Sequence, residues 1–358
     1  MPNLCNEGGA MRILRIFALL IAAWPCWGQS LSPGMPVAAA PGSAATPEGK
    51  HASSQSNLDV PTFRARTSVV VVPTLVLGKK DGGVVYGLKP SDFFVLDNGV
   101  RQRVEVNDEV DSRPVSLVVC VERGRDAPLE FGKVGRLGSL LSSLFGNVLG
   151  QTALVTFDSR PELTEPFTTN LDSVSKDLRG LQTGDDGAAI LDAVGYSVNL
   201  LEHQPPDHRR VLLLVSESRD HGSFRFGTRQ LVERIGTSNT LVLSLISWAK
   251  DKPAGDDGFG AMSIMAPLLM TVNSMRRNAP KTLAALSGGE YASFTDEKKF
   301  EDSFLKQAGH AGNRYILSFQ PTDLRPGLHS VSVQLTRDFA AQVVARNSYW
   351  VVRDGGSQ

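Results

Sequence analysis

Residues 115–121 read Val-Ser-Leu-Val-Val-Cys-Val, an apolar run with a single small polar break. A strand with one wet face would alternate apolar and polar side chains. A run this continuous needs cover on both of its faces, the signature of a strand inside a parallel sheet. Helices must supply that cover, and the following sequence supplies helical spacing. Phe131, Val134, Leu137, Leu140, Leu141, Leu144, Phe145 and Val148 recur at intervals of three and four,. Residues 152–157 then read as a second strand, 163–167 as a short edge strand and 171–181 as a helix. Ile190, Ala193, Val194, Val198 and Leu201 mark another apolar stripe. Residues 211–215 and 240–246 read as further strands, with a helix over 229–235 between them. A helix over 281–286, a strand over 291–294 and a helix over 300–308 complete the pattern. Alternating strands and helices predict an α/β fold, a mostly parallel sheet with helices on both faces.

The flanks read differently. Residues 67–77 are rich in Val and Thr, with Pro73 as an interruption. Residues 79–83 read as a turn, 84–86 and 88–96 as strands, and Asp97-Asn98-Gly99 as a hairpin turn, because Asn-Gly accepts the positive φ such turns require,. Residues 101–106 are the expected return strand. Beyond Asn313, residues 315–319, 329–336 and 341–352 each read as one strand, and these late strands are expected to pack with the early ones in a small β module. Residues 251–276 hold a loop at Asp256-Asp257-Gly258 and then a Met-rich stretch, read as a short helix or cap with its methionines used for packing,.

The chain begins with a segment of another kind. Residues 11–28 combine Arg12 and Arg15 with an apolar stretch over 16–23 and the small residues Cys26 and Gly28. This is the layout of a secretory signal peptide, with Met11 the better start,. A membrane anchor or buried helix is the other reading, although the apolar stretch is short for a span. Of residues 29–60, 19 of 32 are Pro, Gly, Ala or Ser, the composition of a linker without a packed core,. The expected organisation is therefore a signal over 1–28, a linker over 29–60, an N-terminal β module over 61–110, an α/β domain over 111–312 and C-terminal strands over 313–354. No transmembrane segment is expected in the mature chain. Export would end in the periplasm, at the cell surface or outside the cell.

Charge and cysteine narrow the function. There are 37 Lys and Arg against 37 Asp and Glu, which argues against a basic nucleic-acid binder or a polybasic membrane binder,. Beyond the signal only Cys120 remains, too few thiols for a disulfide or a Cys-rich zinc module,. The six histidines include no HExxH pattern, and the chain has no G-x-S-x-G elbow,. Cys120 sits in an apolar strand with no obvious base. Asp192 reads as an acid favoured by a helix amino terminus. Arg209 and Arg210, just before a strand, read as a solvated edge.

Several segments together carry a resemblance. They are residues 88–99, residues 114–126, Leu283-Ala284-Ala285-Leu286-Ser287-Gly288-Gly289-Glu290-Tyr291, Arg314-Tyr315 and Ala345-Arg346-Asn347-Ser348-Tyr349. The core resembles a von Willebrand factor A domain, and residues 62–352 resemble the secreted acidobacterial subgroup of such proteins. The resemblance implies a Rossmann-like sheet with a metal-ion-dependent adhesion site at its top. There an Asp-x-Ser-x-Ser loop, a Thr and an Asp would hold Mg²⁺ and leave one position for a partner's carboxylate. This sequence departs from that pattern at each position. Glu122 stands for the Asp, Gly124 and Asp126 for the two Ser, Ala188 for the Thr and Glu217 for the last Asp. Arg123 and Arg125 add positive charge to the first loop.

Two readings follow. In one, the site is degenerate and Glu122, Gly124, Asp126, Ala188 and Glu217 mark loops that bind a partner without metal or any other cofactor. In the other, Glu122, Asp126 and Glu217, with Asp185 or Asp220, rebuild a carboxylate site for Ca²⁺ or Mg²⁺. The first implies an exported, non-enzymatic protein whose partner is an extracellular or envelope protein. The second allows metal-dependent binding or hydrolysis. A purely structural spacer is the third possibility.

Overall fold

The computed structural model describes residues 69–107, 113–247 and 267–352. The expected signal, the linker, the loop at 256–258, Met262 and Met265 lie outside the described residues. At the centre is a six-stranded sheet. Its strands in chain order are β5 (Val115–Glu122), β6 (Gly150–Phe157), β7 (Pro161–Thr168), β8 (Arg209–Ser216), β9 (Leu241–Ser247) and β10 (Tyr291–Phe294). In space they run β10-β9-β8-β5-β6-β7. All neighbours are parallel except the edge strand β7, which lies antiparallel to β6.

The apolar run of β5 lies in the middle of this sheet, and its pleat divides it between two cores. Val115, Leu117, Val119 and Val121 join one apolar cluster with residues of α1 (Phe131–Leu140), α2 (Leu171–Arg179) and α7 (Glu297–Gly312). Val118 and Cys120 join another with residues of α3 (Ile190–Glu202), α4 (Thr228–Ser238), α5 (Pro267–Arg277) and α6 (Ala279–Ser287). Burial pushes the Cys120 thiol up to about 12, so it packs as a small apolar group,. Met275 on α5 is buried as expected of a packing residue, whereas Met270 is exposed. Among the described residues, no helix is long and apolar enough to cross a membrane.

The β module is built from both flanks. Strands β1 (Val70–Gly78), β4 (Glu105–Asn107), β11 (Tyr315–Phe319) and β13 (Ala341–Ala345) form one sheet in the order β13-β1-β11-β4. Strands β2 (Phe93–Asp97), β3 (Val100–Gln102), β12 (Gly327–Leu335) and β14 (Ser348–Val351) form another in the order β14-β12-β2-β3. Val72, Phe93, Val95, Leu317, Phe319, Val331 and Tyr349 share one core between the sheets. Asn98 and Gly99 both have positive φ and close the hairpin of β2 and β3,.

Four expectations about the module need correction. The strand expected over 88–96 begins only at Phe93, after a short 3-10 helix over Pro90–Asp92. Residues 84–86 form no strand and contribute one bridge, Val84 to Leu77. The return strand over 101–106 is two strands, β3 and β4, which join opposite sheets. Residues 341–352 are also two strands in opposite sheets, broken at Arg346-Asn347. The break has a physical cause in Arg346. Its buried guanidinium donates to the carbonyl oxygens of Ser348, Val71 and Gly236 and to Asn239 Oδ1, at 2.9–3.2 Å, so the chain turns there and ties the module to the end of α4. Pro73 interrupts nothing: β1 pairs with β11 through Thr74 and with β13 from Thr74 onward, so one edge beside Pro73 needs no ladder,.

Candidate functional site

Ligands of open α/β sheets sit beyond the carboxyl ends of the strands. Three loops meet there: one after β5, one between α2 and α3, and one between β8 and α4. The first two are joined through their backbones, Gly184 N–H donating to Arg123 O at 2.8 Å and Arg125 N–H to Asp185 O at 3.3 Å. Gly124 is required for that approach, because a Cβ would overlap the carbonyl oxygens of Gly187 and Asp185,. Asp185 stiffens the second loop. Its Oδ1 accepts from the Gly187 and Ser159 amides and from Ser159 Oγ at 2.8–2.9 Å, and these bonds, the Gly187 amide first, hold its carboxyl below the usual range. The Arg123 Nε lies 3.0 Å from Asp158 Oδ2, which fixes the base of the first loop.

The third loop is anchored to both others. Glu122, only 3% exposed, accepts at Oε2 from the Glu217 amide at 2.7 Å. Burial pushes its carboxyl up to about 8, with the Glu217 amide opposing the rise,. Glu217 Oε1 lies 3.0 Å from Arg125 Nε and 3.7 Å from His221 Nε2. Arg125 reaches that position from a backbone with positive φ. Ala188 is fully buried and exchanges two 2.8 Å backbone bonds with His221. Asp126 is half-buried on the first loop.

The five residues singled out in the sequence therefore lie on adjoining loops, in different circumstances. Gly124 and Ala188 are packed, Glu122 is buried, and Asp126 and Glu217 reach partly to solvent. Asp220, considered as a carboxylate ligand, instead accepts from the Leu191 amide at 2.9 Å and from Ser223 Oγ at 2.5 Å. Among the described residues, no group of three or more His, Cys, Asp or Glu side chains is placed to hold a metal ion.

Sequence reasoning missed the strongest anchor. Asp192, 1% exposed in the first turn of α3, accepts from the amides of Phe224, Arg225 and Phe226 at 2.7–3.1 Å. The helix-terminus explanation accounts for its position but not for this clamp. The available signal was its setting, an acid between Leu191 and Ala193 in a helix whose neighbours are all buried. The clamp holds Phe224 in solvent, 66% exposed, with the Arg225 guanidinium 5.7 Å from its ring centroid.

This arrangement coincides with a known sequence pattern. Residues 123–220 match the family model of the von Willebrand factor type A domain. The matched stretch begins in the first loop and ends in the third. No curated protein matches the chain. Among solved structures, a von Willebrand factor type A protein from Catenulispora acidiphila is similar over 81% of this chain and 74% of its own, at 6% identity and a TM-score of 0.43. An aerotolerance-related membrane protein from Bacteroides fragilis NCTC 9343 is similar over 54% of this chain and 98% of its own, at 14% identity and a TM-score of 0.38. The vWF domain of the type V pili tip protein Mfa5 from Porphyromonas gingivalis is similar over 55% and 94%, at 10% identity and a TM-score of 0.38.

Proposed function

We propose that this is an exported, non-enzymatic interaction protein that engages an extracellular or envelope protein through the loops at the carboxyl ends of β5 and β8, without a metal bridge. One observation carries the reading: the Arg125 guanidinium lies 3.0 Å from Glu217, in the loops where the resemblance would put a cation. The donor set does not fit a divalent ion. Gly124 and Ala188 bring no side-chain oxygen, and the Ala188 backbone is closed by its bridge to His221. Glu122 is buried and committed to an amide. A fixed guanidinium among these acids opposes a second cation.

Within this reading Glu122, Gly124 and Ala188 shape the rim from beneath, while a partner meets Arg125, Asp126, Glu217 and the clamped Phe224. An exposed aromatic on a rigid loop suits protein recognition, since it desolvates a large area with little loss of conformational freedom. Two experiments test the proposal. Melting temperature should not change with millimolar Mg²⁺ or Ca²⁺; a saturable rise would restore the metal-dependent reading. Capture from envelope extracts in the presence of a chelator should retain a partner on the wild type and lose it on an Arg125→Glu, Phe224→Ser variant. Equal recovery of every partner would remove these loops from the function.

A further inference from the structure

The opposite end of the same sheet holds the reverse chemistry. A cavity of about 170 Å³ lies at the amino ends of β5, β8 and β9, closed on its far side by β1 and β11 of the β module. Its lining includes Arg113, Arg209, Arg210, Arg314 and His208, and, among the described residues, no Asp or Glu. The sequence reading of Arg209 and Arg210 as a solvated edge is corrected here: both are half-buried and line the cavity.

Arg314 is the central group. Its side chain is 3% exposed. Nη1 donates to Gly288 O at 2.6 Å and Nη2 to Glu290 Oε2 at 3.1 Å, while Nε has no acceptor. Arg210 makes long bonds from Nη1 to Ser238 O at 3.4 Å and from Nη2 to Glu202 O at 3.5 Å, and its buried Nε has none. The buried Nε of Arg113 also lacks an acceptor. Arg209 has an interaction of its own and is not counted. His208 Nδ1 is paired with Ser116 Oγ at 2.8 Å, which fixes its ring. Glu290, the carboxylate partner of Arg314, divides itself between Arg314 and His310.

Buried donors without acceptors are costly, and native proteins rarely keep them without an ion or water to accept. Here three such donors belong to guanidinium groups around one small space. Guanidinium forks match tetrahedral oxyanions, and several cations sharing one ligand favour a dianion over a single carboxylate. We infer that this cavity is a binding site for a small phosphate-type dianion, either inorganic phosphate or the end of a phosphomonoester. It is separate from the loop rim and independent of the function proposed for it. Because β1, β11 and the central sheet all wall the cavity, an anion there also braces the β module against the α/β domain.

The test is a titration of the full chain with inorganic phosphate, glycerol phosphate and succinate, at neutral pH and ionic strength held constant with chloride, read by calorimetry and melting temperature. Phosphate should bind saturably and raise the melting temperature. Arg113→Gln and Arg210→Gln should each weaken binding about tenfold, as expected for one charge-assisted bond lost. Arg136→Gln, at an exposed ion pair with Glu297 and Glu301, should leave it unchanged. Binding of glycerol phosphate as well assigns the site to a phosphomonoester end, and its exclusion assigns it to the free ion. The inference is overturned if phosphate does no more than chloride, if the wild type and the Arg113→Gln and Arg210→Gln variants respond equally, or if succinate matches phosphate. Phosphorus NMR line broadening by the wild-type chain, reversed by excess sulfate, reads the same site without a substitution; a line unaffected by the protein overturns the inference.

Discussion

The two ends of the central sheet bury opposite kinds of group, acids at one and guanidinium groups at the other, and treat them differently. At the carboxyl end the buried acids meet donors of this chain, Asp192 three amides and Glu122 one. At the amino end Arg113, Arg210 and Arg314 each keep a buried Nε with nothing to accept from it. A buried polar group that its own chain satisfies holds structure, and one left without an acceptor calls for an explanation, which the dianion proposed above would supply. The carboxyl-end acids are on this view devices for shaping loops, although the sequence makes them look like ligands.

The largest effect expected from that contrast is at Asp192. Asp192→Ala would leave three amides without an acceptor and release the loop carrying Phe224. A loss of about 3–5 kcal/mol is expected, with Asp192→Asn costing roughly half because one amide acceptor remains. Urea denaturation measures both. A loss below about 1 kcal/mol would mean that water replaces the carboxylate freely, and that the carboxyl end is no better satisfied than the amino end.

Glu122 is the next test, because one amide is a thin supply of donors for a buried carboxylate. Its carboxyl is pushed from an ordinary 4.5 to about 8. The folded state therefore holds this proton across a range in which the unfolded state has released it. Stability is full below pH about 4.5, falls as pH rises toward about 8, and levels off above that,. Glu217 and Asp126 push in the direction of the shift, and the Arg125 charge opposes it. The loss between the two limits should be of order 2–4 kcal/mol, allowing for relaxation around the charge. Glu122→Gln should flatten this part of the profile. An unchanged slope in that variant would assign the pH dependence elsewhere.

Local rules made part of this molecule legible from sequence. The β5 run announced its two covered faces, the helical stripes gave the surrounding layers, and Asn98-Gly99 gave the hairpin, because each depends on neighbours within a few positions. The larger misreadings share one property, dependence on partners far along the chain. Arg346 splits a strand by bonding to Val71 and Gly236, more than a hundred residues away. Asp192 clamps amides about thirty residues on, and only assembly shows that Arg113, Arg210 and Arg314 converge. The substitutions at Gly124 and Ala188 were legible as absent oxygens. Their positive roles, admitting the second loop and bridging His221, were not.

Gly124 sharpens the comparison from the steric side. Gly124→Ala puts a methyl against the carbonyls of Gly187 and Asp185, backbone atoms that cannot swing aside. An expected loss of about 1–3 kcal/mol should come with weaker protection of the Gly184 and Arg125 amides in hydrogen exchange. A neutral substitution would mean that the first two loops are not held together as tightly as their backbone bonds indicate.

The smallest effect on stability should come from Arg125, and it bears most directly on metal. The Arg125 and Glu217 side chains are 39% and 28% exposed, so solvent screens their pair and Arg125→Gln should cost at most about 1 kcal/mol,. Removing that guanidinium also removes the cation opposing a metal among Glu122, Asp126 and Glu217. If the acids at this end serve the fold alone, the variant should melt at the same temperature with and without Mg²⁺ or Ca²⁺, because Gly124 and Ala188 still supply no oxygen and Glu122 stays with its amide. If Arg125 is a built-in substitute for a metal, the variant should acquire an ion-dependent rise in melting temperature that the wild type lacks. The same melts carried out in phosphate serve as the internal comparison, since the amino-end response should survive Arg125→Gln intact.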